Sequence, residues 1–449
     1  MRVARAIAIN RWSEEISQRE LAERLGTQTS SISRIEKGEQ NITLDYVDAI
    51  AKALDKDVKF FFEDHKIKYG DTAEYELKIF DNPLVRFRMT RDGGVLKAKI
   101  LDTDEEMRDL FPLDLEVSDE GILKWLRKRV IPKNRELVGK ILSALGLKMD
   151  DLKGIIDVCM GLSLNDSYWV TQTTFEGEFS KYNLYKNRFD RIISLIAYVG
   201  YGDLSRGHGT TPELTTGGML RKAWHFSSTN GIHLYKAGTS DFANAGNEPF
   251  SEFYASQVAE KMGLHHVHYD LANWHRSIAS KCKLFTDINT SYIPIGRIVP
   301  IGGIDACIDY YKKLGDEFYQ ELASMLVFDA VIVNEDRHFG NFGVLRDNLS
   351  GKIISPAPIF DNGLSLLCYG MKSDFEDNLD EYINGRTNPY GSENQFFVLA
   401  KRVMGPKQKE ELRHLINFRF QESDVANLPS WRTGALENMV RNRAKMLLE

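Results

Sequence analysis

Between Val331 and Leu367 the sequence VIVNEDRHFGNFGVLRDNLSGKIISPAPIFDNGLSLL carries Asp336, then Arg337 and His338, then Asn341, and finally Asp361-Asn362-Gly363. These are the residue types that phosphoryl transfer uses. Moving a γ-phosphoryl group asks little covalent chemistry of a protein; it asks for an aligned hydroxyl and for divalent metal to neutralise phosphate charge. Asp336 can orient or deprotonate the hydroxyl, and Asn341 and Asp361 are hard oxygen donors of the kind Mg2+ prefers. Upstream, Thr215-Thr216-Gly217-Gly218-Met219-Leu220-Arg221 is a polar loop whose glycines let backbone N–H groups approach phosphate. Lys236 follows in GIHLYKAG, and Glu248 and Glu252 stand near the start of EPFSEFYASQVAEKMGL. A cation on the phosphates, held by a carboxylate from a neighbouring helix, completes such a site.

These residues need particular elements to bring them together. FGVLRDNLSGKIIS reads as two strands joined by a polar turn at Asp347 to Gly351, so that a hairpin returns Asp361 towards Asn341. The apolar helix DEFYQELASMLVFDAVIV leads directly into Asp336, and its burial would fix that carboxylate, as positioning chemistry requires. Arg337 is expected to pair with a carboxylate or with backbone. KAWHF and GIHLYKAG read as strands and EPFSEFYASQVAEKMGL as a helix, while CKLFTDINTSYIPIGRIV reads as a hairpin leading to a hinge. His265, His266 and His268 fall on an apparent strand with no acidic or Cys partner at ligand spacing, and read as surface or pairing histidines. Tyr369 to Asn394 reads as a polar, substrate-facing loop, and the remainder as helices.

The segment Asn334 to Asn341 has the form N-x-D-R-H-x-x-N, and with Phe360 to Gly363 after a hairpin it resembles the HipA-type Ser/Thr protein kinases. The phosphate loop resembles that family through Gly-Gly-x-x-x-Lys-Ala in GGMLRKA; GxGxxG is absent. The resemblance implies ATP and Mg2+ as cofactors, Asp336 as catalytic base, and Asn341 and Asp361 as metal ligands. It implies Lys236 on the phosphates, and Glu252 rather than Glu248 as its partner. It also implies nucleotide contacts at Thr215, Thr216, Gly217 and Gly218, with Thr215 and Thr216 as the nearest candidates for autophosphorylation and self-inhibition. FDNG departs from the DFG of common kinases and leaves the role of Asn362 open.

At the other end, Ser17 with Glu20 has the spacing of a capping box and Gly26 closes the helix it opens. TSSISRIEKG follows as a second helix ended by Gly38, and Thr43 caps LDYVDAIAKAL. Ile16, Leu21, Leu25, Ile32, Ile35, Leu44, Val47, Ile50 and Leu54 can share one small core. Helix, glycine turn, helix is the helix-turn-helix layout. SQRELAERLGTQTSSISRIEKG is similar to the Xre/Cro family, which implies that Gln28, Thr29, Ser30, Ser33 and Arg34 face the DNA major groove and that Gln18 contacts phosphate. Operator DNA and a homodimer on a two-fold axis are the implied partners.

Between the two ends, YELKIF, LVRFRMT and VLKAKIL read as strands, the last two joined at Asp92-Gly93-Gly94, and helical segments follow. Lys124, Arg127, Lys128, Arg129, Lys133 and Arg135 around Trp125 read as a solvated basic face, and SLNDSYWV with FSKYNLYKNRFD as a packed connector. The net charge of −6 does not announce a nucleic-acid binder across the whole chain, and the four cysteines, Cys159, Cys282, Cys307 and Cys368, read as buried small hydrophobes. With no long apolar run and a charged amphipathic start, a cytoplasmic, non-membrane protein is expected. The fold expected is multidomain α+β. Residues 1–63 form an all-α helix-turn-helix bundle, 64–204 an α+β middle subdomain with a scaffold role, 205–300 a nucleotide-binding lobe and 301–449 a helical catalytic lobe of a two-lobed kinase-like region. The function expected is a protein kinase with a fused repressor- or antitoxin-like domain in toxin–antitoxin or stress regulation, acting on a protein substrate. The alternatives are a transcriptional regulator with an inactive, ATP-sensing kinase-like domain, and a small-molecule or lipid kinase.

Overall fold

A computed structural model describes residues 7, 11, 16–37, 39–40, 42–56, 58, 71–200, 211–239, 245–377, 379–390 and 395–449. The expected boundaries at 63/64 and 204/205 and the helix end at Gly38 lie outside these residues. The chain divides into two compact units, Met1–Thr103 with Ser118–Ser163 and Tyr168–Met219, and Asp104–Val117 with Leu164–Ser167 and Leu220–Glu449.

In the first unit, Ser17 Oγ accepts the N–H of Glu20 at 3.0 Å and opens helix α1 (Gln18–Arg24). Only half of the expected capping box forms, because the Glu20 carboxylate pairs with Arg24 at 2.8 Å. Gly26, at φ 63°, turns the chain into α2 (Thr29–Lys37), and the Thr43 hydroxyl caps α3 (Leu44–Ala53). Leu21, Ile32, Ile35, Val47, Ile50 and Leu54 are buried together. Leu44, expected among them, is 64% exposed, because the inward face of α3 begins a turn later at Val47.

The strands β1 (Thr72–Ile79), β2 (Asn82–Asp92), β3 (Val95–Thr103) and β4 (Tyr168–Gln172) form an antiparallel sheet in the order β3-β2-β1-β4. Gly93 and Gly94 turn β2 into β3 with positive φ, as their sequence predicts. The connector reading of SLNDSYWV is corrected at its end: Tyr168 opens the edge strand β4, paired with β1 from Tyr75↔Gln172 to Ile79↔Tyr168. Its residues are nearly all buried, so no polar alternation advertises a strand.

The same unit contains helices α4 (Asp119–Arg127), α5 (Val138–Ala144), α6 (Leu152–Cys159) and α7 (Arg191–Val199). The basic cluster on and after α4 is not one solvated face. Arg129 is buried with its guanidinium over Trp125 and donates to the carbonyls of Gly161 and Tyr168, and Arg135 is fully buried against Glu213 at 2.6 Å.

In the second unit, β5 (Lys222–Ser227), β6 (Gly231–Ala237), β7 (Tyr269–Trp274) and β8 (Ser277–Lys283) form an antiparallel sheet in the order β5-β6-β8-β7, followed along the chain by α8 (Glu248–Met262) between β6 and β7. Strand β9 (Thr290–Pro294) does not fold back on β8 as the hairpin reading required. It joins β10 (Gly343–Asp347) and β11 (Ile353–Pro356) in a second sheet of order β11-β10-β9, so residues 284–289 carry the chain from one sheet to the other. The three histidines precede β7 rather than lying on it; His266 makes an isolated bridge to Ile359.

Helix α9 (Gly303–Leu314) leads into α10 (Asp316–Ile332), which is buried from Leu322 to Ile332. Around α10 lie α11 (Phe396–Val403), α12 (Pro406–Arg413) and α13 (Ser430–Leu448). The polar stretch after Tyr369 contains short helical turns at Lys372–Glu376 and Leu379–Asn384 instead of being wholly loop; residues 391–394 lie outside those described. All four cysteines are buried and free. Among the described residues no helix is long and apolar enough to cross a membrane.

Candidate active site

Helix α10 ends on Val333 in the left-handed region, at φ 55°, a costly conformation for a β-branched residue. Asn334 overdetermines this turn: its N–H donates to the Asp329 carbonyl at 3.1 Å and its Nδ2 to the Asp329 carboxylate at 3.1 Å. The Asn334 Oδ1 then accepts the N–H of Asp336 at 3.2 Å, which sets the loop holding that carboxylate. Asn341 closes the loop, its Nδ2 donating to the Asp336 carbonyl at 2.9 Å. Asp336 itself is half-buried, and His338 is exposed. Burial raises the Asp336 proton affinity above that of an ordinary aspartate, against the pull of His338 and with the push of the Asp361 charge.

The hairpin of β10 and β11 returns the chain to Asp361, as the spacing predicts. Asp361 adopts φ 58°, and its N–H donates to the Tyr269 hydroxyl at 3.2 Å. Its carboxylate receives the Lys236 ammonium at 2.6 Å, while Lys236 also donates to Glu252 at 2.6 Å. Glu252 is buried, and its second oxygen accepts the N–H of Asn362 at 2.8 Å. The geometry therefore distinguishes the two glutamates of α8: Glu252 meets Lys236, and Glu248 does not. Against the burial that would raise it, Lys236 and then Lys222 hold the Asp361 carboxyl well below the usual carboxylate range. Burial would likewise lower the Lys236 pKa, but Asp361 and Glu252 hold it well above normal and keep it an ammonium.

Arg337 ties the two Asp loops together. It is fully buried, pairs with Asp329 through Nε at 3.0 Å, donates to the Asn341 carbonyl at 3.1 Å, and donates to the Phe360 carbonyl and the Asn362 side chain. The role of Asn362 left open by the sequence is thus partly answered: its side-chain oxygen accepts from Arg337 and its N–H donates to Glu252.

The structure brings Asp336, Asn341, Asp361, Lys236 and Glu252 into one set of linked loops and strands. Thr215, Thr216, Gly217 and Gly218 fall in the first unit, where the hydroxyl of Thr215 donates to the Leu162 carbonyl at 2.8 Å and that of Thr216 to the Pro212 carbonyl at 2.7 Å. In the helix-turn-helix, Gln28, Thr29, Ser30 and Arg34 are exposed and Ser33 is half-buried. Gln18 donates to Glu36 at 2.6 Å, which Arg11 also holds.

Two participants were missed from the sequence. Lys222 lies directly across from Lys236, so both project from one face of the sheet, and Lys222 is buried. The signal was the repeated Lys-Ala in KAWHF and YKAG, which a hairpin places in opposed register. Asp329, partner of Arg337, was legible as one carboxylate inside the apolar run LVFDAVIV. Among the described residues no cluster of three or more His, Cys, Asp or Glu forms a metal site. Asn341 spends its Nδ2 on backbone, which leaves the amide oxygen as its ligand atom, and Asp361 is an ionised carboxylate about 35% exposed; this pair of hard oxygens fits Mg2+.

Comparison with known proteins bears on the N-terminal domain and on the fold. Residues 13–61 match the helix-turn-helix family model, so the N-terminus is a helix-turn-helix domain. A chain of the Shewanella oneidensis MR-1 toxin–antitoxin system HipA, HipB and operator DNA complex is 10% identical, with a TM-score of 0.50 over 83% of this chain and 97% of that one. The Helicobacter pylori proinflammatory kinase CtkA is 17% identical, with a TM-score of 0.40 over 51% of this chain and 92% of that one. No curated protein sequence matches the chain. Over most of its length the protein shares the fold of that toxin–antitoxin complex chain, and its N-terminus carries a helix-turn-helix domain.

Proposed function

We propose that the protein is an ATP- and Mg2+-dependent Ser/Thr protein kinase of the HipA type, fused to its own operator-binding domain. The observation that carries the reading is Lys236, held between Glu252 and Asp361 at 2.6 Å each, with Arg337 tying the loop of Asp336 and Asn341 to the chain at Phe360, next to Asp361. Lys236, steadied by Glu252, binds phosphate oxygens once its hold on Asp361 is released. Asp361 and Asn341 hold Mg2+, which supplies neutralisation of charge on the phosphates when bound. Asp336 orients the acceptor hydroxyl and takes its proton, its raised affinity suiting it to that task. Thr215, Thr216, Gly217 and Gly218 form the phosphate loop, with Thr215 or Thr216 the site of autophosphorylation.

The division of labour is residues 1–63 for DNA, 64–204 as scaffold, 205–300 for nucleotide and 301–449 for catalysis. Gln28, Thr29, Ser30, Ser33 and Arg34 read the operator groove, with Gln18 on phosphate, and a cytoplasmic homodimer presents two such helices to a palindrome. The acceptor is a protein, in a toxin–antitoxin or stress circuit. Lys236→Met tests the assignment: with labelled ATP and Mg2+ the wild type is expected to label protein, including its own residues 205–221 by mass spectrometry, and the variant to label neither. Equal labelling by both would overturn it.

A further inference from the structure

Helix α8 grips more than Lys236. From its N-cap Asn247 through its second turn, polar side chains reach successive points of the stretch that follows Asp361. Glu252 accepts the N–H of Asn362 at 2.8 Å, Ser251 donates to the Ser365 carbonyl at 3.0 Å, and Asn247 donates to the Cys368 carbonyl at 2.8 Å. Glu248 ends the row, accepting the Tyr369 hydroxyl at 2.8 Å.

The same Glu248 carboxylate accepts the Thr239 hydroxyl at 2.7 Å and the Thr239 N–H at 3.3 Å. Glu248 is 2% exposed, so this is a buried charge satisfied by chosen donors and not a surface pair. Gly238 makes room for it: a Cβ there would lie 3.0 Å from the Glu248 carboxylate and 2.6 Å from the Gly246 Cα.

Glu248 and Glu252 stand one helical turn apart on one face. Each grips the same two pieces of chain. Glu252 holds Lys236 and Asn362; Glu248 holds Thr239, three residues beyond Lys236, and Tyr369, seven beyond Asn362. We propose that Glu248 is a positioning residue of the phosphoryl-transfer site, clamping the first turn of α8 between the end of β6 and the stretch after Asp361 so that Glu252 meets Lys236 before nucleotide arrives. The inference rests on the kinase reading. Burial and the adjacent Glu248 charge push the Tyr369 hydroxyl up, so it stays a donor to the clamp.

Glu248→Gln keeps the shape and removes the charge that strengthens these hydrogen bonds. In the full chain it should lower kcat/KM for ATP by about tenfold, carried mainly in KM for ATP, with KM for the protein acceptor unchanged. Hydrogen exchange should rise together in α8 and in residues 362–369. In a Glu252→Gln background, Glu248→Gln should add nothing further to the loss, because it acts through Glu252. Glu437→Gln is the control for simple destabilisation: Glu437 is also buried, accepts the Phe420 N–H at 3.0 Å, and should lower thermal stability without changing KM for ATP. Unchanged KM for ATP, unchanged exchange in 362–369, or fully additive losses in the double variant would each overturn the inference while an active wild type left the kinase reading standing. A wild type that transfers no phosphate would instead overturn the kinase reading, and the catalytic purpose of the clamp with it.

Discussion

Arg337→Met removes the buried guanidinium that joins the two Asp loops, and its consequences separate stability from activity. Arg337 and Asp329 are 0% and 3% exposed in their side chains, so the deletion leaves the Asp329 carboxylate buried without its cation. Breaking such a pair costs about 3–5 kcal/mol, most of it from the stranded charge. Among the described residues, Asn334 alone then remains on that carboxylate, through its 3.1 Å bond. Replacing Asp329 as well, in Arg337→Met/Asp329→Leu, removes the stranded charge and should recover at least about half of that loss. Phosphate transfer should not recover, because the carbonyls of Asn341 and Phe360 and the side chain of Asn362 still lack their common donor. Urea unfolding followed by a second-unit tryptophan probe, with transfer from labelled ATP measured on the same samples, checks both halves. A single variant destabilised by less than about 1 kcal/mol, or a double variant with restored transfer, would refute this account of Arg337.

The raised proton affinity of Asp336 puts the acid limb of kcat/KM at higher pH than an ordinary aspartate would give: the base works when deprotonated, so activity is lost as pH falls through its folded pKa, and a pH–rate profile should show this limb vanish in Asp336→Asn along with about 10²–10⁴ of the rate. Arg34→Ala should weaken operator binding and flatten its salt dependence by about one unit of slope while leaving transfer unchanged, as fluorescence anisotropy across a salt series would read. Ser17→Ala removes the acceptor of the Glu20 N–H and should destabilise the helix-turn-helix by about 1 kcal/mol, seen as a shift in its unfolding midpoint.

The parts legible in the sequence are those governed by local chemistry. Glycines at 93 and 94 fixed a hairpin, the Asp347 to Gly351 turn returned Asp361, and the apolar run before Asn334 marked α10. Other features depend on contacts that are distant along the chain. Helical periodicity puts Glu248 and Glu252 on one face, so it was the family resemblance that favoured Glu252; in the structure Glu252 is the one that meets Lys236. Strand β4 was hidden because it is buried on both faces, and β9 because its partner β10 comes some fifty residues later. Arg129 and Arg135 looked like solvated charge because a sequence does not show a Trp125 face or a buried Glu213 waiting for them.

The central claim is that Asp336 and the residues joined to it transfer phosphate from ATP to protein. Wild type and Asp336→Ala, incubated with labelled ATP, Mg2+ and total cell protein, test it directly. The account predicts labelled protein with the wild type and none with the variant, both binding ATP alike. ATP binding without transfer or hydrolysis by the wild type would contradict it and leave a nucleotide-sensing regulator in its place.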